Sequence, residues 1–415
     1  MNLKRESRYQ PEFIQDRCRR SPGANEMTTL HPADWISGRY HYQNSFVNLE
    51  PVMKKIILRA ALFLLLTIIN RWVASAQSPG ERAVSMGTTL DAVLDARAVS
   101  MGESFVAVGS NPYAGLYNPA GLAGIEGLHV IYSRLYFTTI PNDLTVHFFA
   151  ASVHLPFGDF SLLYTRSNNA YFSEQYNHTL ALTGARRIGE NLSVGVSVKS
   201  FDEIFRPPEE PGMSLSTSLP LLVDLGIQYT HAGIMNSENT PDTFTAGASL
   251  QNFGTDFRGT EGSGGFKMKG IILLPRYVRA GFAYQLRLRH DGAGQYDPWA
   301  FLLTGEYRNL LNATGPTGDI RDYWGFGMES TFSELISLRI GGYVSPLETF
   351  SWFSSRGIPA FRYGLGIRVP FARIGISAPL TVKFDYAEVP QVNFLELGRI
   401  SENHISFELV YDLNR

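Results

Sequence analysis

The ionisable residues of this 415-residue chain stand one at a time inside alternating apolar runs, a spacing suited to ion pairing in a low-dielectric interior. Lys199, Arg279, Arg339, Arg362, Arg368, Lys383, Asp385 and Glu408 are the clearest cases. Along a strand, neighbouring side chains point to opposite faces, so each of these charges faces away from its apolar neighbours. Two roles fit them: opposite charges filling a polar interior and holding a segment inside it, or contacts to a substrate. Enzymatic chemistry leaves no comparable pattern. The histidines, among them His129, His147, His154, His178, His290 and His404, fall on separate strands and breaks without a pair at metal-ligand spacing. No nucleophile elbow, phosphate loop, dinucleotide fingerprint or zinc-protease pattern is present. The expectation is a protein that is not an enzyme, with no cofactor and no metal.

The elements that position those charges follow from period and punctuation. From Leu128 onward, runs of eight to twelve alternating residues are separated by breaks rich in Gly, Pro, Asn or Asp. Fourteen strands are expected, near 128–139, 144–155, 159–168, 175–187, 191–203, 220–230, 242–252, 275–287, 298–308, 321–331, 335–344, 361–369, 380–388 and 403–412. An even number suits a single-chain transmembrane barrel. Leu192, Val194, Val196 and Val198 share one face, opposite Ser193, Gly195, Ser197 and Lys199. Phe361, Tyr363, Leu365, Ile367 and Val369 likewise oppose Arg362, Gly364, Gly366 and Arg368, and Val382, Phe384 and Tyr386 oppose Thr381, Lys383 and Asp385. If the apolar faces meet lipid, the charges point into a lumen. A secreted soluble barrel or sandwich shows the same alternation.

What separates these readings is the segment ahead of the strands. Arg97 to Ala123, RAVSMGESFVAVGSNPYAGLYNPAGLA, combines small residues and glycines with Asn111-Pro112 and Asn118-Pro119. Neither Asn-Pro pair can continue a helix, so each marks a turn. Glycines at 102, 109, 115, 121 and 124 allow close backbone approach. The segment reads either as an ordinary Gly/Pro loop or as a plug folded inside a narrow lumen. A hexapeptide is also duplicated: Arg82–Gly87 recurs as Arg97–Gly102.

On Asp95-Ala96-Arg97-Ala98, Met101-Gly102, Phe105-Val106-Ala107-Val108 and above all Tyr117-Asn118-Pro119-Ala120-Gly121-Leu122-Ala123, the chain resembles FadL-like outer-membrane barrels, and most closely their PorV/PorQ branch, associated with type IX secretion. The resemblance covers about 30 residues. It implies an all-β fold: a transmembrane antiparallel barrel of about 14 strands with an N-terminal plug that Asn118, Pro119, Ala120 and Gly121 shape. One departure is the end of the chain. Barrels of this kind commonly finish on an aromatic residue, whereas here Asn414 and Arg415 follow the last strand.

Composition agrees with a barrel. The chain has 39 Gly, 20 Tyr and 27 Phe but only 18% charged residues, and its mean hydropathy of −0.08 is what two alternating faces average to. Ile56 to Ile69, preceded by Lys54-Lys55 and followed by Ala74-Ser75-Ala76, has the basic start, short apolar core and small-x-small site of a secretory signal peptide. The rival reading, a membrane anchor, needs about 20 apolar residues, and this run is shorter and contains Arg59. The expected organisation is therefore an over-extended start at 1–52, a signal peptide at 53–76 cleaved after Ala76, a plug at 77–125 and a barrel at 126–415. Of 36 Lys/Arg and 38 Asp/Glu, 11 and 6 lie in the first 76 residues, so the exported part carries 25 and 32, a formal net of −7. That balance argues against nucleic acid as a partner. The single cysteine, Cys18, falls in the discarded part, leaving no disulfide.

Three breaks are longer than the rest: Arg206–Leu219, Gly254–Gly270 and Glu348–Pro359. In such barrels the long loops face outward. Pro207-Pro208 with Glu209-Glu210 makes a stiff acidic projection; Phe350, Trp352 and Phe353 make an aromatic tip that suits a protein partner or the membrane edge. Two functions follow from the resemblance. The PorV-like reading implies binding of exported proteins or secretion components at the outer membrane. The FadL-like reading implies transport of a fatty acid or another hydrophobic small molecule past the plug, and it requires an apolar path inside the barrel.

Overall fold

The computed structural model describes residues 84–85, 90, 94–137, 144–169, 174–206, 215–216, 221–235, 240–254, 257–258, 271–288, 298–311, 322–344, 361–392 and 399–413. The expected start and signal peptide, the loop residues Pro207, Pro208, Glu209, Glu210, Phe350, Trp352 and Phe353, and Asn414 and Arg415 lie outside them.

Among the described residues fourteen long strands close one sheet, to which the two-residue strand Leu215–Ser216 adds at the rim: β1 (Leu128–Phe137), β2 (Leu144–Leu155), β3 (Gly158–Asn169), β4 (Glu174–Ile188), β5 (Leu192–Arg206), β6 (Leu221–Ala232) and β7 (Asp242–Gly254) make the first half. The second half is β8 (Tyr277–Leu288), β9 (Trp299–Leu310), β10 (Asp322–Phe332), β11 (Ile336–Val344), β12 (Phe361–Pro370), β13 (Leu380–Val392) and β14 (Arg399–Tyr411). Each strand pairs antiparallel with the next, and β14 pairs with β1, from Glu402 opposite Phe137 to Tyr411 opposite Leu128. The sheet is thus a closed barrel with no open edge, the condition under which strands can satisfy every backbone group in hydrocarbon. All fourteen strands read from alternation are present. Their ends differ where polar residues hid them: β14 begins at Arg399, β13 runs to Val392 and β5 to Arg206.

The two ends of the barrel are unlike. At one, β2–β3, β4–β5 and β10–β11 are joined by only two or three residues; at the other, β5–β6, β7–β8 and β11–β12 are joined by 14, 22 and 16. Beside the long-loop end a small sheet pairs Val84–Ser85 in parallel with Ile272 and Leu273, and Phe257–Arg258 antiparallel with Ile271 and Ile272. Among the described residues one irregularity interrupts the barrel ladder, a bulge on β7, where Gln251 and Asn252 stand opposite the single residue Asp224 of β6.

Alternation sorts the faces. On β5, Val196 and Val198 are exposed while Ser193, Ser197 and Lys199 are buried. Leu162, Leu182, Leu225, Ile227, Leu303, Phe326, Leu338, Ile340, Phe407 and Leu409 continue an exposed apolar surface round the barrel. A water-facing protein rarely carries so continuous an apolar exterior, so this surface suits the hydrocarbon of a membrane. The interior is filled by the chain's own N-terminal part. Leu94 to Ile125 folds inside the lumen, with a short helix α1 (Ala96–Ser100) and two 3-10 turns, Ala114–Leu116 and Pro119–Leu122. It leaves at the short-turn end, where Gly127 backs onto Tyr411.

Leu182 faces outward near the middle of β4. Replacing it by Arg should cost about 2–4 kcal/mol in urea unfolding from lipid vesicles, because an exposed cation at mid-depth loses its hydration. A cost below the error of the titration would place this face in water.

Candidate functional site

The lumen segment is tethered by its own charges and by those of the strands around it. Asp95 caps α1: its Oδ1 accepts from the Arg97 amide at 2.9 Å, turning the Arg97 side chain toward the wall. There the guanidinium forks onto Glu329 of β10, Nε at 2.8 Å and Nη2 at 2.6 Å. Arg339 on β11 joins the same carboxylate at 2.5 Å and reaches Asp385 on β13, also at 2.5 Å. The result is a chain of alternating charge, Arg97–Glu329–Arg339–Asp385, buried at Glu329 and Arg339 and half-buried at its ends. Nearer the long-loop end, Glu103 pairs with Arg362, the second residue of β12, and accepts from the Tyr323 hydroxyl at 2.9 Å. Charge-assisted bonds of this kind are the strong ones in a dry interior.

Further along the segment the tethers change from ion pairs to backbone capture. Glu306 on β9, paired with Arg279 of β8 at 2.9 Å, accepts the Phe105 and Val106 amides through its other oxygen, both at 2.8 Å. Ser249 and Gln251 of β7 donate to the Tyr117 carbonyl at 2.7 and 3.1 Å, and Gln228 of β6 donates to that of Val106 at 3.0 Å. Asn118 ties the two turns to the wall. Its Nδ2 donates to the carbonyls of Val106 and Ile227, at 2.8 and 3.1 Å, while its Oδ1 accepts the Ala120 amide and so caps the following 3-10 turn. Pro119 stands at the first position of that turn, where its missing N–H costs nothing. Ala120 and Gly121 are buried beside it, and a Cβ at Gly121 would lie 2.9 Å from the Val108 carbonyl.

The strand-borne charges read from the sequence have these places. Arg279, Arg339, Arg362 and Asp385 belong to the tethers above. Lys199 pairs with Asp224 and donates to Asn252, both at 2.6 Å; Asn252 belongs to the β7 bulge and Asp224 stands opposite it. Lys383 and His129 both meet Glu408, at 2.9 and 2.6 Å. Arg368 is the exception to a buried interior: it has the lumen-facing parity of Arg362 but stands exposed, because it is only two residues from the short-turn end of β12.

Alternation alone missed the other half of this network. Arg97 and Glu103 lie in a segment without period, and Glu306, Glu329 and Asp224 become partners only once register is set. Missed too was what the strand glycines meet, although alternation had placed Gly364 on the inward face. Lumen-facing Gly327, Gly341 and Gly364 abut Met101, Gly102 and Ser100; a Cβ at Gly327 would lie 2.6 Å from that of Met101. A side chain at these positions would displace α1. Their signal was present in the runs GFGM, IGGY and YGLG, where glycine holds the inward positions of otherwise apolar strands.

The lumen also has an apolar sector. Ile131 and Leu135 of β1, Val146 and Phe148 of β2, Leu163 of β3, and Ala387 and Val389 of β13 face inward and pack in one cluster with Leu94, Val99, Phe105 and Tyr113. Tyr113 stacks on Phe148 with ring centroids 5.4 Å apart. Leu135, Val146 and Val389 lie toward the long-loop ends of their strands, Phe148 and Leu163 lower down.

Burial pushes the Asp95 carboxyl up to about 7, and the nearby Asp385 adds to the rise against the pull of Arg97. Its second oxygen is buried without a hydrogen-bond partner. Glu103 is the reverse: burial opposes its charge, but Arg362, Arg308 and the bonds from Arg362 and Tyr323 outweigh that and hold it at about 2.

No protein-family model matches the chain, and no curated protein matches it. Among solved structures it is similar to the CymD monoaromatic hydrocarbon channel, at 13% identity and TM-score 0.42 over 78% of this chain and 98% of that one. It is also similar to a FadL homologue of Pseudomonas aeruginosa (13%, 0.40, covering 81% and 100%) and to the Pseudomonas putida toluene transporter TodX (10%, 0.39, covering 79% and 98%). These scores are too low for the neighbours' activities to be carried over.

Two outcomes are expected of the tethers. Arg97 adds a second cation to a carboxylate that keeps Arg339, so Arg97→Ala should lower unfolding stability by about 1.5–3 kcal/mol, and by clearly less when Glu329 is already Gln. An equal cost in the two backgrounds would deny the coupling. For Asp95, a carboxyl raised from 3.8 to about 7 favours the protonated folded state, so its contribution is best below the unfolded value and is lost as pH rises toward 7. Asp95→Asn keeps the cap and removes the titration, and the fall in melting temperature from pH 5 to pH 8 should shrink; an unchanged fall would assign it to other groups.

Proposed function

We propose that this chain is a plugged outer-membrane barrel that passes a hydrophobic small molecule from outside the cell into the periplasm. The observation that carries the reading is the apolar sector of the lumen. It begins at Leu135, Val146 and Val389, near the long-loop end, and reaches Tyr113, Phe148 and Leu163 against the tethered segment. A barrel that only needed filling could be lined throughout by the neutralised pairs seen on β8 to β14. Here one side is left greasy, and an apolar solute would gain from each step along it. The charges along that path are neutralised by their partners, and on β13 Asp385 stands below Ala387 and Val389, toward the short-turn end.

The membrane assignment is supported by the closed ladder, the apolar exterior and the unequal ends, with the long loops turned outward. A signal peptide ending at Ala76 would bring the chain to that membrane. The segment through Asn118, Pro119, Ala120 and Gly121 acts as the plug: it occupies the bore, so passage requires it to shift against the wall. Breaking the Asn118 bonds should make that shift easier.

A second reading, binding of exported proteins or secretion partners, draws on the PorV-like residues around Asn118 and would use the loops at 207–210 and 350–353. Uptake of a fluorescent long-chain fatty acid by cells carrying the barrel separates the two. We expect uptake that Phe148→Asp abolishes and that Asn118→Ala raises, along with small-solute conductance of the reconstituted barrel. Uptake equal to that of cells without the barrel, together with co-purification of polypeptides sharing a C-terminal domain, would replace transport with the export role.

A further inference from the structure

On the outer face of β1 to β4, basic residues interrupt the apolar surface in a single cross-strand row. Arg134 stands directly opposite His147, His147 opposite Arg166, and Arg166 opposite His178. All four share the outward parity of exposed neighbours: Val130 on β1, Phe149 on β2, Leu162 and Tyr164 on β3, Leu180 and Leu182 on β4. The row ends at Asp202 on β5, opposite His178, and on its other side at Ile405 on β14, opposite Arg134. It is therefore confined to one sector.

Its depth is set by the rows below it. Two residues toward the short-turn end lies an aromatic row, Tyr132, Phe149 and Tyr164, continued by Leu180; two residues further lie Val130, Ala151, Leu162, Leu182 and Val198. Hydrocarbon contacts, then aromatic rings, then cations is the order in which a membrane passes from acyl chains to headgroups. The basic row is within four residues of the long-loop ends of its strands, which places it in the outer leaflet. The aromatic row also orients it. Tyr132 Oη lies 3.0 Å from His147 Nδ1 and Tyr164 Oη 2.7 Å from His178 Nδ1. With the phenols donating, Nε2 of each imidazole carries its hydrogen and is left to donate. Arg134 lies over the Tyr136 ring, 5.6 Å from its centroid.

We propose that this row is a binding site for the phosphate groups of an acidic lipid in the outer leaflet. Guanidinium groups match phosphate oxygens in a fork, and the imidazole between the two arginines adds an N–H donor on the same line. Four strands span roughly 14 Å at about 4.8 Å per step, room for more than one phosphate, so a lipid with two of them fits best. The acyl chains of such a lipid would lie along the apolar rows beneath. The proposal rests on the membrane reading of the barrel and adds to it a partner that is independent of what the lumen carries.

The test uses the full mature barrel in non-ionic detergent, titrated with diphosphoryl lipid A and with the same lipid stripped of both phosphates, the bound lipid being counted by native mass spectrometry. Wild type should hold the phosphorylated lipid about tenfold or more tighter, and Arg134→Gln with Arg166→Gln should abolish that preference. Equal affinity for the two lipids in wild type, or an unchanged preference in the variant, would overturn the site. Should the double variant not fold, Arg166→Gln alone, at an exposed position, carries the same readout. Insertion into vesicles, followed by heat-dependent gel mobility, is scored separately. A wild-type chain that does not insert sinks the membrane reading and this site with it, whereas an inserted barrel without phosphate preference sinks the site alone.

Discussion

Closure of the sheet between β14 and β1 is the constraint on which the rest of the molecule depends. Ten residue pairs join the last strand to the first, and with them every strand gains two neighbours. A closed ladder satisfies its backbone groups without water, which frees the outer face to be apolar. It also creates an interior of set width that has to be filled. The N-terminal segment does the filling, and its requirements explain the inner face: glycine where the backbone comes close, Ser, Gln and Asn where its carbonyls need donors, and Arg or Glu where its own charges need partners.

The buried charges are best understood as address labels. Moving an ion pair out of water costs about as much as the pairing returns, so Arg97–Glu329 or Glu103–Arg362 adds little net stability over well-packed apolar residues. Misplacing the segment is a different matter. A shift of one residue would leave several charges buried without partners, at several kcal/mol each by usual experience. Charges thus select one register of plug against wall. Asp95 departs from this economy, with one oxygen left without a hydrogen-bond partner and a carboxyl pushed toward neutrality. It sits at the start of the tethered helix, where a change of protonation acts on the cap and on the neighbouring charge chain together.

The repeated hexapeptide shows how context decides local structure. In its second copy, Ala98, Val99 and Ser100 belong to α1; in its first, Val84 and Ser85 form a strand against Ile272 and Leu273. The residue two before the arginine differs: Asp95 caps the helix in one copy, whereas Gly80 stands at that place in the other. Without a capping side chain, so short a helix has no favourable start.

By itself the sequence determined the barrel. Strand number and facing come from an alternation that repeats every two residues, a local property that a chain carries wherever it is placed. Asn118-Pro119 was legible as a turn for the same reason, since proline restricts its own and the preceding backbone. The tertiary structure alone decided which charges meet and where grease lies. Glu329 and Arg97 are 232 positions apart, and nothing in either neighbourhood names the other. The apolar sector of β1, β2, β3 and β13 becomes one surface only when β14 has closed onto β1. Register between distant strands and the path of a segment without period are properties of the assembled barrel, set by which arrangement leaves no charge alone and no lumen empty.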